Sequence, residues 1–198
     1  IERIRKNEDQ KTVKGVSYRE NGKVVHNDNS PHIDDINTLA PFPFHLFENN
    51  ITRYDFGQLL TSRGCPYECI FCSQRSISGR RYRYKNPENV LYEIDLLVNK
   101  YNQKTINFND DIFVINRRRV IDICEGIINR NYNNVIFVCM ARGDCVDEEL
   151  LRVMKRAGFD TISFGLETGS ERIMKLINKK ETVEDNRRGV CLTKKAGL

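Results

Sequence analysis

The sequence has no apolar run approaching the roughly 20 residues that a bilayer-spanning helix needs, so a protein built on transmembrane helices is excluded and no membrane partner is expected. An export signal is missing too. The chain opens IERIRKNEDQ, charged and polar where a secretory leader carries an apolar core, so the expected location is cytoplasmic. Without an oxidising destination, seven cysteines do not read as a disulfide framework, and their number is odd. Histidine is scarce. His26, His32 and His45 all lie upstream of the densest cysteine cluster and read as surface or linker residues. No Met opens the chain, and the sequence is expected to begin partway into a longer protein.

Charge of one sign is not concentrated either. Lys and Arg total 32 against 27 Asp and Glu, a net charge of +5. The runs Arg80-Arg81-Tyr82-Arg83 and Arg117-Arg118-Arg119 have the chemistry to meet phosphates, but they read as solvated faces. A nucleic-acid domain shows a denser basic stripe, so nucleic acid is not expected as a partner. What the chain does have is 39% hydrophobic and 30% charged residues over 198 positions, enough for one soluble domain with an ordinary core.

Residues 12–26 read as a β-hairpin turning at Glu20-Asn21-Gly22. Residues 27–47 hold three prolines and end in PFPFHLF, an extended linker that lays Phe42, Phe44 and Phe47 on a neighbouring surface. From residue 57 strands and helices alternate. Gln58–Thr61 is a strand, and a helix capped by Asn86 with Pro87 in its first turn follows the cysteine loop. Thr105–Asn109 is the second strand, and a helix marked by Val120, Ile121, Cys124, Ile127 and Ile128 comes next. Val135–Met140 is a continuous apolar run, predicted to be a strand buried on both faces. Asp147 caps the next helix, Thr161–Leu166 is the fourth strand, and Thr168 with Glu171 reads as a capping box before a helix at about 171–178. A last helix follows Thr182. Gly158 and Gly197 stand at matching helix ends, and the chain stops where a fifth strand is expected. The fold class is α/β with a parallel sheet, either open or part of a barrel, and functional residues are expected past the C-terminal strand ends.

The chemistry gathers in Cys65-Pro66-Tyr67-Glu68-Cys69-Ile70-Phe71-Cys72, a C-x₃-C-x₂-C loop directly after a strand. Three thiolates suit a [4Fe–4S] cube with one iron left open, whereas structural zinc wants four ligands and no fourth follows at the usual spacing. Cys139, within a strand, reads as a core residue.

This loop and its surroundings resemble the radical S-adenosylmethionine (radical SAM) superfamily, whose hallmark is CxxxCxΦC with an aromatic Φ, here Phe71. The resemblance runs through residues 57–198 and includes Phe108-Asn109-Asp110-Asp111 and the segment Gly165–Arg172. Upstream, Lys14–Lys23 (KGVSYRENGK) and Pro41-Phe42-Pro43-Phe44 are similar to the segment joining a cobalamin-binding domain to the radical core in the subfamily that includes the anaerobic magnesium-protoporphyrin ester cyclase. The resemblance implies a partial (β/α) barrel truncated after about four βα units, with residues 1–50 as the tail of a preceding cobalamin-type domain plus linker and 51–198 as the N-terminal part of the core. It implies a [4Fe–4S] cluster on Cys65, Cys69 and Cys72, with S-adenosylmethionine on the fourth iron and cobalamin through a domain outside this chain. One electron from the cluster would break the sulfur–C5′ bond, and the 5′-deoxyadenosyl radical would take a hydrogen from a small-molecule substrate. The reducing partner would be a flavodoxin or ferredoxin.

Carried over residue by residue, Phe71 leans on the adenine side of the cofactor. Asn109-Asp110-Asp111 stands where the family often has Gly-Gly-Glu, and one of its carboxylates accepts from the methionyl ammonium or else caps the next helix. Arg142 pairs with the methionyl carboxylate or else with Asp144 or Asp147. Glu167, with Ser170 beside it, contacts the ribose hydroxyls or the methionyl group. Two other readings are an iron–sulfur or zinc electron-transfer module with a fourth ligand such as Cys139 or Cys145, and a methylthiotransferase-type enzyme using the basic runs on RNA.

Overall fold

The computed structural model describes residues 5, 6, 8–132 and 134–198, with residues 50–52 described by backbone alone. It divides into two compact units, one ending at Asp34 and the other Asp35–Leu198. In the first, β1 (Ser17–Glu20) pairs antiparallel with β2 (Lys23–His26) in the register Glu20↔Lys23. Asn21 and Gly22 join them with φ of 50° and 77°, the double positive φ of a hairpin turn whose twist matches its strands. The expected hairpin is present.

The second unit begins with short 3₁₀ turns, Ile36–Thr38 and Phe44–Arg53. The expected extended linker is therefore wound at Ile36–Thr38 and again from Phe44 onward. The reason is packing: Phe44 is buried with its ring 5.1 Å from Phe56 and 5.4 Å from Tyr101, while Phe42 stays exposed. A parallel sheet follows in the order β3 (Gln58–Leu59), β6 (Thr105–Phe108), β7 (Ile136–Ala141), β8 (Phe159–Phe164), and β4 (Ser62–Arg63) pairs antiparallel with β5 (Arg83–Tyr84) beside it. Helices link the strands: α1 (Gln74–Ile77), α2 (Pro87–Asp95, continued by a π turn over Leu96–Lys100), α3 (Arg117–Arg130), α4 (Glu148–Arg156), α5 (Glu171–Leu176) and α6 (Val183–Lys195).

The core lies between α2, α3 and α4 and one face of the sheet. Ile106 and Phe108 on β6, Phe137 and Cys139 on β7 and Phe159 on β8 point into it at the two-residue period of a strand. Rings of Phe108 and Phe113 stack at 4.3 Å, and Phe108 and Phe159 at 5.7 Å. β7 is not buried on both faces as predicted. Ile136 and Met140 are exposed on the side opposite the helices, because the described residues cover only one face of the sheet.

Helix ends follow the local chemistry. Asn86 accepts from Asn89 N at 2.9 Å ahead of Pro87, and Asp147 accepts from Leu150 N at 2.8 Å. Gly158 and Gly197 both end helices with positive φ. The capping box expected at Thr168 and Glu171 is not formed. Ser170 caps α5, and the reciprocal box lies at Thr182 and Asp185, where an acid at N3 reaches back to the cap backbone. Nor is the run Arg117–Arg119 a uniformly solvated face. Arg117 and Arg118 pair with nearby acids, but Arg119 is buried and donates to Lys85 O and Thr61 O at 2.7 and 3.1 Å.

Candidate functional site

Parallel strands place their C-terminal ends on one rim, and the residues of interest lie just past those ends. The cysteine loop follows β3 and β4, Asn109–Asp111 follow β6, Arg142–Cys145 follow β7, and Gly165–Ser170 follow β8.

Gly64 starts the cysteine loop with φ of 86°, and a Cβ there would stand 2.3 Å from the Arg81 carbonyl oxygen. This close approach lets Cys65 N donate to Gly79 O at 3.2 Å. The middle of the loop is tied to the end of α5, since Ile70 N donates to Ile177 O at 3.0 Å and Asn178 Nδ2 to Glu68 O at 3.1 Å. Arg80 pairs with Glu68. Cys65, Cys69 and Cys72 all line one cavity of about 210 Å³, the first two half-buried and the third exposed. Burial pushes the Cys65 and Cys69 thiols up, and at Cys69 the charges of Lys179 and Arg142 oppose it. The three are free thiols, and among the described residues no three His, Cys, Asp or Glu side chains converge on a single ion position. Three soft donors around one cavity, without a fourth, fit a cube in which each thiolate takes its own iron and one iron stays open.

Phe71 is exposed. After β6, the three candidates separate. Asn109 Nδ2 donates to Gln58 Oε1 at 2.6 Å. Asp110 is fully buried and accepts from Thr61 N and Ser62 N at 2.6 and 2.9 Å and from the Thr61 hydroxyl, clamping β6 to the start of β4. Asp111 is half-buried. Burial and the Asp110 charge push its carboxyl up, no hydrogen-bond donor among the described residues offsets this, and its charge is felt at Cys65. Of the two aspartates, Asp111 is the one with a carboxylate left to offer an ammonium group.

Arg142 is buried and forks onto Asp144 at 2.9 and 2.8 Å, donates to Lys179 O at 3.0 Å, and lies 3.6 Å from the centre of the Tyr67 ring. Of the alternatives weighed for it, the structure places Asp144 on its guanidinium. Tyr67 Oη in turn meets Cys145 Sγ at 3.5 Å. Glu167, an exposed residue held at φ of 57°, receives Lys179 Nζ at 3.1 Å, and the same ammonium donates to Gly165 O at 2.6 Å. Ser170 is taken up as the α5 cap, accepting from Ile173 N at 3.5 Å. Cys139 is buried among core side chains on the helix-facing side of β7.

Sequence reasoning missed Tyr67, Lys179 and Glu181. Glu181 accepts from Asp144 N at 3.2 Å and lies 3.7 Å from Arg142 and 3.8 Å from Lys179. The available signal was position: Asn178–Glu181 is a charged run between two helices at the catalytic rim of an α/β fold.

The family model described as the radical SAM superfamily matches residues 59–198. An uncharacterized methyltransferase of Pyrococcus horikoshii is 33% identical over 100% of the chain, which covers 44% of that relative. The anaerobic magnesium-protoporphyrin IX monomethyl ester cyclase of Rubrivivax gelatinosus is 29% identical over 96% of the chain and 35% of the relative. Among solved structures, the cobalamin-dependent S-adenosylmethionine radical enzyme OxsB superposes with a TM-score of 0.83 at 28% identity, over 98% of this chain and 30% of that one. The radical S-adenosylmethionine methyltransferase TsrM of Kitasatospora setae superposes at 0.76 over 100% of this chain and 41% of that one, and at 18% identity it shows the fold alone. The chain thus spans less than half the length of the relatives it matches.

Proposed function

The chain belongs to the radical SAM superfamily, and on that premise we propose that it is the cluster-binding and S-adenosylmethionine-binding part of a cobalamin-dependent radical enzyme acting on a small-molecule substrate. The observation that carries this is the cysteine loop itself: three free thiols around one cavity, tied down at its start and its middle, on the rim of a parallel sheet. Family members use a [4Fe–4S] cluster and S-adenosylmethionine, which together supply one-electron cleavage of the sulfur–C5′ bond.

The chain's own part is to bind and orient. Cys65, Cys69 and Cys72 would hold the cluster. Asp111 would accept from the methionyl ammonium, and Glu167 and Phe71 would meet the ribose and adenine ends. Arg142 is not assigned to the methionyl carboxylate, because Asp144 and the Lys179 carbonyl already occupy its donors. Cobalamin would come from a domain outside this chain, a reading supported by OxsB. Electrons would come from a flavodoxin or ferredoxin. The outcome proposed is hydrogen abstraction; a second reading, methyl transfer, is favoured by the Pyrococcus relative.

Anaerobic reconstitution with iron and sulfide tests the proposal. The expected product is a brown protein whose reduced cluster changes its electron paramagnetic resonance spectrum when S-adenosylmethionine is added. A folded protein that stays colourless, or a cluster indifferent to S-adenosylmethionine, would contradict it. In the full-length enzyme, 5′-deoxyadenosine as sole nucleoside product would support hydrogen abstraction, and S-adenosylhomocysteine methyl transfer.

A further inference from the structure

Behind the cysteine loop lie two cations that the binding roles above leave unused. Arg142 and Lys179 are 3% and 5% exposed, unusually deep for their residue types. Arg142 touches the loop, and Lys179 adjoins the residues that fasten it. The Arg142 guanidinium lies against the Tyr67 ring, two residues before Cys69. Lys179 directly follows the Ile177 and Asn178 groups that hold Ile70 and Glu68, the neighbours of Cys69 on either side. Arg142 thus packs on the segment that carries Cys69, and Lys179 stands next to the residues that fasten that segment. Burial also shields these charges from water, so their field reaches further than that of surface lysines.

Three thiolates crowded into a half-buried loop need such compensation, because desolvation disfavours each negative charge. A cluster accepting an electron adds one more. Each cation has a carboxylate partner, Asp144 on Arg142 at 2.8 Å and Glu167 on Lys179 at 3.1 Å, but both acids are more open to water than the cations they meet, and Glu181 Oε2, wholly buried, stands 3.7 and 3.8 Å from the two without a hydrogen bond.

We infer that Arg142 and Lys179 are positioning residues for the cluster, holding the Cys69 side of the loop and raising the cluster's reduction potential by stabilising its reduced form. This rests on the radical SAM reading of the loop.

The test is a redox titration of the reconstituted chain, followed by electron paramagnetic resonance without S-adenosylmethionine, with iron content measured on each sample. Lys179→Met is expected to shift the midpoint potential to more negative values, and Lys179→Arg to restore it. Glu167→Gln, which removes a negative charge beside Lys179, is expected to shift it the opposite way. Should Lys179→Met fail to fold, the Glu167→Gln shift decides alone. Opposite signs support the charge role. Unmoved potentials, or shifts of one sign in both variants, overturn it while leaving the cluster assignment standing. A wild-type chain that takes up no cluster overturns the radical reading and this inference with it.

Discussion

Asp110 and Asp111 are neighbours with different tasks. Asp110 satisfies two buried backbone donors and a hydroxyl, so removing it leaves those groups without partners. Asp110→Ala should cost about 3 kcal/mol of stability, measured by chemical denaturation, because each orphaned buried donor carries a penalty of about 1–3 kcal/mol. Asp111→Ala should change stability by less than about 1 kcal/mol and instead weaken S-adenosylmethionine binding to the reconstituted protein, as a titration of the cluster spectrum would show. Glu181 makes a different kind of prediction. Burial, and next the Asp144 charge among the groups that raise it, keep its carboxyl above the ordinary value of 4.5 despite Arg142 and Lys179. A raised acid favours the folded state while protonated and loses that contribution as pH rises through its folded value. The stability of Glu181→Gln relative to wild type should therefore improve from acid toward neutral pH. A difference flat with pH would contradict the burial argument.

Elements are held by caps and close approaches. Asp147 caps α4 and also receives Arg117, so Asp147→Ala should lower stability by about 1 kcal/mol or somewhat more in thermal unfolding. Gly64→Ala forces a side chain into a left-handed backbone facing the Arg81 carbonyl. It should cost more than about 1 kcal/mol and lower iron uptake, because the loop it opens carries Cys65. These positions also show what a sequence can tell. Asn86, Asp147 and the Asn21-Gly22 turn were readable because each acts within four residues of itself. Thr168 and Thr182 carry the same kind of pattern, and only tertiary position decides between them: Glu171 turns away to accept from Val183 N at 2.8 Å. The β4–β5 ladder is two residues long, too short for any periodicity to show. Arg119 looked like part of a solvated run because its partners, Thr61 and Lys85, are 58 and 34 residues away. The buried network of Arg142, Lys179 and Glu181 was hidden for the same reason.

At the scale of the whole molecule, a parallel sheet covered on one face by the described residues gathers four loop ends on one rim, and cysteine spacing together with placement after a strand singled out one of those loops in the sequence. No helix of the described residues is long and apolar enough to cross a membrane. What is proposed for this rim is a cluster held by Cys65, Cys69 and Cys72 with one iron open to S-adenosylmethionine. Mössbauer spectroscopy of the iron-reconstituted protein tests this most directly. One iron of the cube should change its signal when S-adenosylmethionine is added while the other three keep theirs, and Cys69→Ala should abolish the cube. Four equivalent irons unmoved by S-adenosylmethionine, or a signal from isolated ions, would contradict the account.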